Sequence, residues 1–270
     1  MSETKIGFMG AGKMASAMAG GMVEAGVVLP QNVAAFDPSS AAGEAFVKKT
    51  DGRMVETPEE LAGACDVLFI AVKPYLVDTA LLQLAPFVTE AHLIVSIAAG
   101  VRLARLQSGV PQGIRVIRVM PNTPCLVRRG TCGFSLGETA TAEDAETVER
   151  MLAAVGLALP VEERLLDAVT GLAGSGPAFV YMMIEALSDG GVLMGLPRPL
   201  AIAMAAQMVG GAAQMVLETG EHPGALKDAV TSPGGTTIAG VQALESHGIR
   251  AAFIEAVETA TRRSIELAGE

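Results

Sequence analysis

Lys5-Ile-Gly-Phe-Met-Gly10-Ala-Gly12-Lys-Met-Ala15 decides how the first half of this chain is read. A short apolar run leads into Gly-x-Gly-x-x-Ala, and a helical pattern follows. The small residues serve different ends. Gly10 permits a tight turn, Gly12 lets a pyrophosphate approach the backbone, and Ala15 lets the helix pack close to the strand. Free N–H groups at the helix start would face the phosphates, where the helix dipole also favours negative charge. Alone, such a glycine turn is common in ordinary loops; between a strand and a helix it is a dinucleotide signature. The expected contacts are Met9, Gly10, Ala11, Gly12, Lys13 and Met14.

Outward from this turn, short apolar runs recur at Val33 to Phe36, Val67 to Val72, Leu93 to Ile97 and Arg115 to Val119. Helical patterns alternate with them, including Met14 to Ala25 and Pro58 to Ala64, where Thr57 can cap and Pro58 suits the first helical position. This alternation predicts an α/β fold, a Rossmann-like, doubly wound and mostly parallel sheet. Beyond about residue 160 the strand signals stop and long Ala, Met and Leu patterns take over, so the second domain is all-helical. The expected division is 1–160 and 161–270.

Ligands of open parallel sheets bind outside the carboxyl ends of the strands. The second run ends in Asp37-Pro38-Ser39-Ser40, where an adenosine ribose would be read. A carboxylate at Asp37 can accept hydrogen bonds from both ribose hydroxyls and favours NADH, whereas Ser39 and Ser40 lean towards a 2′-phosphate and NADPH. Asp37-Pro38 can also serve as a plain turn. Val72-Lys73-Pro74 and Ala98-Ala99 follow the next two runs and are placed to border the nicotinamide and its ribose; Lys73 reads equally as a solvated loop charge.

At 270 residues, half of them hydrophobic, the chain can bury a full core. A net charge of −10 opposes broad attraction to nucleic acid or anionic lipid. Cys65, Cys125 and Cys132 lack paired Cys-x-x-Cys spacing, so neither a disulfide framework nor a zinc site is indicated, and a reducing cytoplasm fits. His92, His222 and His247 are scattered, and no metal is expected. No secretory signal is evident at the N-terminus. Pro199 to Leu217 carries no charge and is almost long enough to cross a bilayer. Gln207, Gln214 and Gly210-Gly211 favour instead a helix buried in a core or subunit interface. Met182, Met183, Met194, Met204, Met208 and Met215 read as gap-fillers between packed helices, partly between subunits.

Two stretches of poor helix formers punctuate the helical half: Gly171-Leu-Ala-Gly-Ser175-Gly-Pro-Ala178 and Thr231-Ser232-Pro-Gly-Gly-Thr-Thr237. The second exposes N–H groups and hydroxyls able to encircle a small carboxylate, or is simply a capped helix start. With these in view the chain resembles the Δ1-pyrroline-5-carboxylate reductases over almost its whole length. The likeness is carried by Gly7 to Met14, Ala71-Val-Lys-Pro74, Ser96-Ile-Ala-Ala-Gly100, Met120-Pro-Asn-Thr-Pro124, Gly174 to Ala178, Gly220 to Asp228 and, most specifically, Ser232-Pro-Gly-Gly-Thr-Thr237.

The resemblance implies reduction of a cyclic imine to L-proline by NADPH or NADH, with the substrate between the nicotinamide and the Ser232 to Thr237 loop. It implies that Thr237 hydrogen-bonds the ring nitrogen and is the catalytic residue. Ser232 and the amides around Gly234, Gly235 and Thr236 would receive the carboxylate, with Glu163 near the substrate. It also implies a homodimer through the helical domain, often built into larger rings. Many members carry Ser or Thr at the position of Asp37 and favour NADPH, so the cofactor stays open. A β-hydroxyacid dehydrogenase shares this layout but needs a lysine soon after its Gly-Ser-Gly; Gly174 to Met182 offers none. A dinucleotide-binding redox sensor without turnover is the other alternative.

Overall fold

The computed structural model describes residues 4–269. Its strands are β1 (Ile6–Met9), β2 (Val33–Phe36), β3 (Arg53–Met54), β4 (Val67–Ile70), β5 (Leu93–Ser96), β6 (Arg115–Met120), β7 (Gly130–Leu136) and β8 (Gly156–Pro160). They form one sheet in the order β3-β2-β1-β4-β5-β6-β7-β8. Every neighbouring pair is parallel except β6 and β7, which run antiparallel. The helices are α1 (Lys13–Glu24), α2 (Ser40–Thr50), α3 (Pro58–Ala64), α4 (Val77–Leu84), α5 (Leu103–Ser108), α6 (Ala142–Ala153), α7 (Leu166–Val169), α8 (Gly176–Leu193), α9 (Arg198–Thr219), α10 (Pro223–Ala229), α11 (Thr236–Ser246) and α12 (Ile249–Gly269).

The strands read as apolar runs because both faces of the sheet are covered. On one face Ile6, Phe8, Phe69, Val95 and Ile117 pack with Met18 and Met22 of α1, Phe46 of α2 and Leu152 of α6. Phe8 stacks on Phe69 with ring centroids 4.7 Å apart. On the other face Leu68, Ile70, Ile94 and Val116 meet Leu61, Leu81 and Leu106 from α3, α4 and α5. The doubly wound, mostly parallel expectation is met. Because β1 pairs with β2 on one side and β4 on the other, the strand order reverses there, which opens the crevice where such sheets take ligands.

Three strands were not expected. β3 is too short for any period to register. β7 contains two glycines, and β8 is bounded by Gly156 and Pro160, which breaks the apolar run in each. Gly133 has a packing reason: a Cβ there would lie 3.0 Å from Val169 of α7. Capping at α3 follows the sequence closely, with Thr57 accepting from the Glu60 N–H and Pro58 in the first turn.

By internal contacts the chain forms two compact units. One runs to Ser175 and takes in the chain from Thr259; the other is Gly176–Glu258. The strands end at Pro160, but the following turns stay with the sheet. Ser264 of α12 also belongs there, donating to the buried Asp167 at 2.7 Å. In the second unit α8 and α9 form a helical hairpin, where Gly191 lets Ala201 approach and Asp189 pairs with Arg198. α9 was expected to be buried in a core or a subunit interface; in the single chain only Ala201 and Ala205 are buried, so the core of this chain does not enclose it. Met182, Met194, Met204, Met208 and Met215 are exposed, so they do not fill gaps within this chain. By length and composition α9 is apolar enough to cross a membrane.

Candidate functional site

The glycine turn is built from two different constraints. Gly10 has φ +100°, and a Cβ there would meet the Ala71 carbonyl at 2.9 Å, so glycine is required by the chain itself. Gly12 has an ordinary φ of −68°, and a Cβ would meet nothing within 4 Å. Its glycine therefore answers to no neighbour, and the open space lies where a pyrophosphate would approach. Gly12 caps α1 with backbone alone, and Lys13 and Met14 are the first helical residues, with no acidic side chain in that turn. Ala15 is buried against the core, and Met9 ends β1 below the turn. A dinucleotide pyrophosphate fits this cradle.

Asp37 closes the turn from the side. Its Oδ2 accepts the Ala11 N–H and its Oδ1 the Ser39 N–H, both at 2.8 Å, while the Gly10 N–H donates to the Phe36 carbonyl. The Ala11 amide, expected to face the cofactor, is directed at this carboxylate instead. Ser39 Oγ accepts the Ala42 N–H as the cap of α2, and Pro38 is exposed.

Val72 lies beside Gly10, and exposed Lys73 and Pro74 begin the turn before α4. Ala98 is buried and Ala99 exposed at the end of β5, followed by Gly100 at φ +76°. The far end of this loop is anchored by Glu163. Its Oε1 accepts the Leu103 N–H at 2.6 Å, at the start of α5, and the Arg118 Nη1 at 3.0 Å. Asp167 stands one helical turn on, 3.7 Å from the Arg102 guanidinium. Glu163, expected near substrate, thus has one oxygen committed to holding the Ala98–Ala99 loop.

In the second unit, Ser232 to Gly235 form a turn closed by the Gly235 N–H donating to the Ser232 carbonyl. Gly234 has φ +67°, and a Cβ at Gly235 would collide with Ser232 Oγ, so the hydroxyl lies against the backbone at the start of α11. The helix begins at Thr236, with Thr237 second. Gly235 is its cap, and no side chain bonds the first-turn amides. Five residues singled out in the sequence, Ser232, Gly234, Gly235, Thr236 and Thr237, are therefore local neighbours. Thr237 is half-buried and Ser232 exposed.

Known proteins align with the chain throughout. Residues 163–267 match the family model described as pyrroline-5-carboxylate reductase dimerisation, and residues 5–100 match one described as NADP oxidoreductase, coenzyme F420-dependent. A curated pyrroline-5-carboxylate reductase of Methanosarcina acetivorans is 47% identical, covering 99% of both chains. The chain belongs to the pyrroline-5-carboxylate reductase family. Solved relatives agree: a pyrroline-5-carboxylate reductase of Coxiella burnetii superposes with TM-score 0.93 at 32% identity, covering 98% of this chain and 99% of that one. The Plasmodium falciparum enzyme with NADP bound gives 0.88 at 33%, covering 99% of each. The helical region is thus an oligomerisation domain.

Two buried polar residues of this pyrroline-5-carboxylate reductase have partners that the sequence did not announce. Arg118 is almost fully buried on β6, level with Ser96 of β5 and Ser135 of β7, a polar row in an apolar sheet. A charged residue inside Arg115-Val-Ile-Arg118-Val-Met120 was the available signal, since a buried guanidinium needs a carboxylate. Asn122 is the second: its amide donates to the Ala173 carbonyl and accepts the Thr131 N–H, tying the Pro-Asn-Thr-Pro turn to β7. Buried Cys125 and Cys132 lie 3.8 Å apart; the neighbouring sulfur lowers the Cys125 thiol to about 7 and raises its partner. Among the described residues no cluster suited to a metal exists. Lys227, far beyond the stretch after Gly174-Ser-Gly176 where a dehydrogenase would need its lysine, is ion-paired with Asp228 on α10.

Proposed function

We propose that this chain reduces Δ1-pyrroline-5-carboxylate to L-proline, the final step of proline synthesis, with NADPH or NADH as donor. The observation that carries the reading is full-length identity of 47% to a named pyrroline-5-carboxylate reductase, spanning both the Gly10–Gly12 turn and the Ser232–Thr237 turn. Residues 1–160 form the nucleotide-binding part and 161–270 the substrate-binding and dimerisation part.

Ser232, with the amides from Gly234 to Thr236, receives the substrate carboxylate at the start of α11, which no side chain caps and where N–H groups and helix dipole favour an anion. Thr237 hydrogen-bonds the ring nitrogen and fixes which carbon faces the donor. The bound reduced nicotinamide supplies the hydride. A protonated pyrroline is already electrophilic, so the chain has mainly to orient it and exclude water, which explains how few ionisable groups the site needs. Met9 to Met14, Asp37, Pro38, Val72 to Pro74, Ala98 and Ala99 hold the dinucleotide, and Glu163 stands at the edge of the site.

The protein works as a homodimer through its helical part, and such dimers are the units from which a larger ring would be built. The exposed Met204, Met208, Met215 and Leu217 of α9 supply the apolar surface a second copy covers. Its three unpaired cysteines suit a cytoplasmic setting. Steady-state assays with pyrroline-5-carboxylate and each reduced dinucleotide, beside β-hydroxyacids with the oxidised forms, test the reading. Turnover of the imine alone supports it; turnover of a β-hydroxyacid alone refutes it.

A further inference from the structure

Family membership leaves the choice of dinucleotide open, and the end of β2 bears on it. We infer that the site takes NADH in preference to NADPH, with Asp37 as the discriminating residue; the inference rests on the nucleotide reading above.

Asp37 is not a loose turn residue. Two backbone donors, the Ala11 and Ser39 N–H groups, each hold one of its oxygens at 2.8 Å. This locks the carboxylate between the glycine turn and the start of α2 and leaves each oxygen a further lone pair. Two acceptors in fixed positions suit the two hydroxyls of an adenosine ribose. They repel a 2′-phosphate placed on the same carbon. Ser39 Oγ accepts the Ala42 N–H as the cap of α2, and the hydroxyls of Ser39 and Ser40 are neutral donors that do not cancel the charge of the carboxylate.

The surroundings point the same way. A cleft of about 560 Å³ opens beside Asp37, and among the described residues lining it the charged ones are Asp37, Glu44 and Lys48. Two carboxylates face one ammonium, with Met54 and Val55 as apolar wall. Among the described residues no arginine lines the cleft, although a guanidinium is the group that pairs with phosphate in two-point fashion. A dianionic 2′-phosphate would enter a cleft of net negative charge.

The test compares kcat/KM for NADH and NADPH at saturating imine, together with binding of each read by nicotinamide fluorescence without substrate. The wild type should favour NADH at least about tenfold, and Asp37→Ser and Asp37→Asn should each lower that ratio at least about tenfold. Asp37→Asn keeps an acceptor for the Ala11 N–H should Asp37→Ser disturb the turn. A third arm needs no variant: ADP should inhibit the wild type more tightly than adenosine 2′,5′-bisphosphate. Equal or better use of NADPH by the wild type, or a ratio unchanged in both variants, would overturn the inference. The fluorescence arm needs no turnover, so absence of proline formation would sink the reductase reading while leaving this one tested.

Discussion

Arg118 and Glu163 are joined by an ion pair of 3.0 Å, the arginine 2% exposed and the carboxylate 30%. The same carboxylate oxygen accepts the Leu103 N–H, so one side chain fixes a buried charge and the start of α5 together. Removing it by Glu163→Ala strands a guanidinium inside the protein and should cost about 3–5 kcal/mol of stability. Glu163→Gln keeps an acceptor for Leu103 and should cost less. Thermal or urea unfolding of both variants checks this; an unchanged midpoint for Glu163→Ala would mean that the pair holds nothing together.

Gly10 and Gly12 should separate folding from binding. Gly10→Ala forces a side chain to φ +100° against the Ala71 carbonyl and should destabilise the fold by about 1–3 kcal/mol. Gly12→Val meets no atom of the chain within 4 Å at its Cβ, so the variant should unfold near the wild type while losing dinucleotide affinity by about tenfold or more. Fluorescence titration beside a melting curve reads both quantities. Tight binding by Gly12→Val would remove the pyrophosphate from this turn.

Thr237→Ala should lower turnover by about tenfold or more with dinucleotide affinity intact, since it would delete the hydrogen bond proposed for it at the imine nitrogen. The readout is kcat beside fluorescence binding of the cofactor. Wild-type turnover in the variant would take Thr237 out of the mechanism.

Burial pushes the Cys65 thiol up to about 11, from an ordinary value of 9.0. Because the folded state holds this proton more tightly than the unfolded one, the contribution is present below about pH 9 and is lost as pH rises towards 11. It amounts to about 2–3 kcal/mol. Urea unfolding of the wild type and Cys65→Ala between pH 8 and 11 should show the difference between them narrowing with alkali. Parallel curves would contradict it.

Much of this architecture is legible in the sequence where local chemistry and tertiary need coincide. Val33 to Phe36 is apolar because both faces of the sheet are covered, and Thr57-Pro58 starts a helix by itself. β7 and β8 were illegible because Gly130 and Gly133 interrupt the first and Gly156 and Pro160 bound the second, while what makes them strands is backbone pairing with neighbours distant in the sequence. The Ser232–Thr237 turn could be found because its residues are adjacent; the links from Glu163 to Arg118 and from Asp37 to Ala11 join distant positions, and no periodicity announces them. Of the packing read for the methionines of α8 and α9, the part within this chain is not found: Met182, Met204, Met208 and Met215 are exposed in the single chain, which leaves the part between subunits.

If the nucleotide turn and the Ser232–Thr237 turn serve one imine reduction, each hydride leaving the dinucleotide must appear in proline. The direct measurement is proline formed from pyrroline-5-carboxylate by the purified protein, quantified beside the reduced dinucleotide consumed. The account predicts equal amounts of each, and consumption only when the imine is present. A protein that binds the dinucleotide yet forms no proline would contradict it.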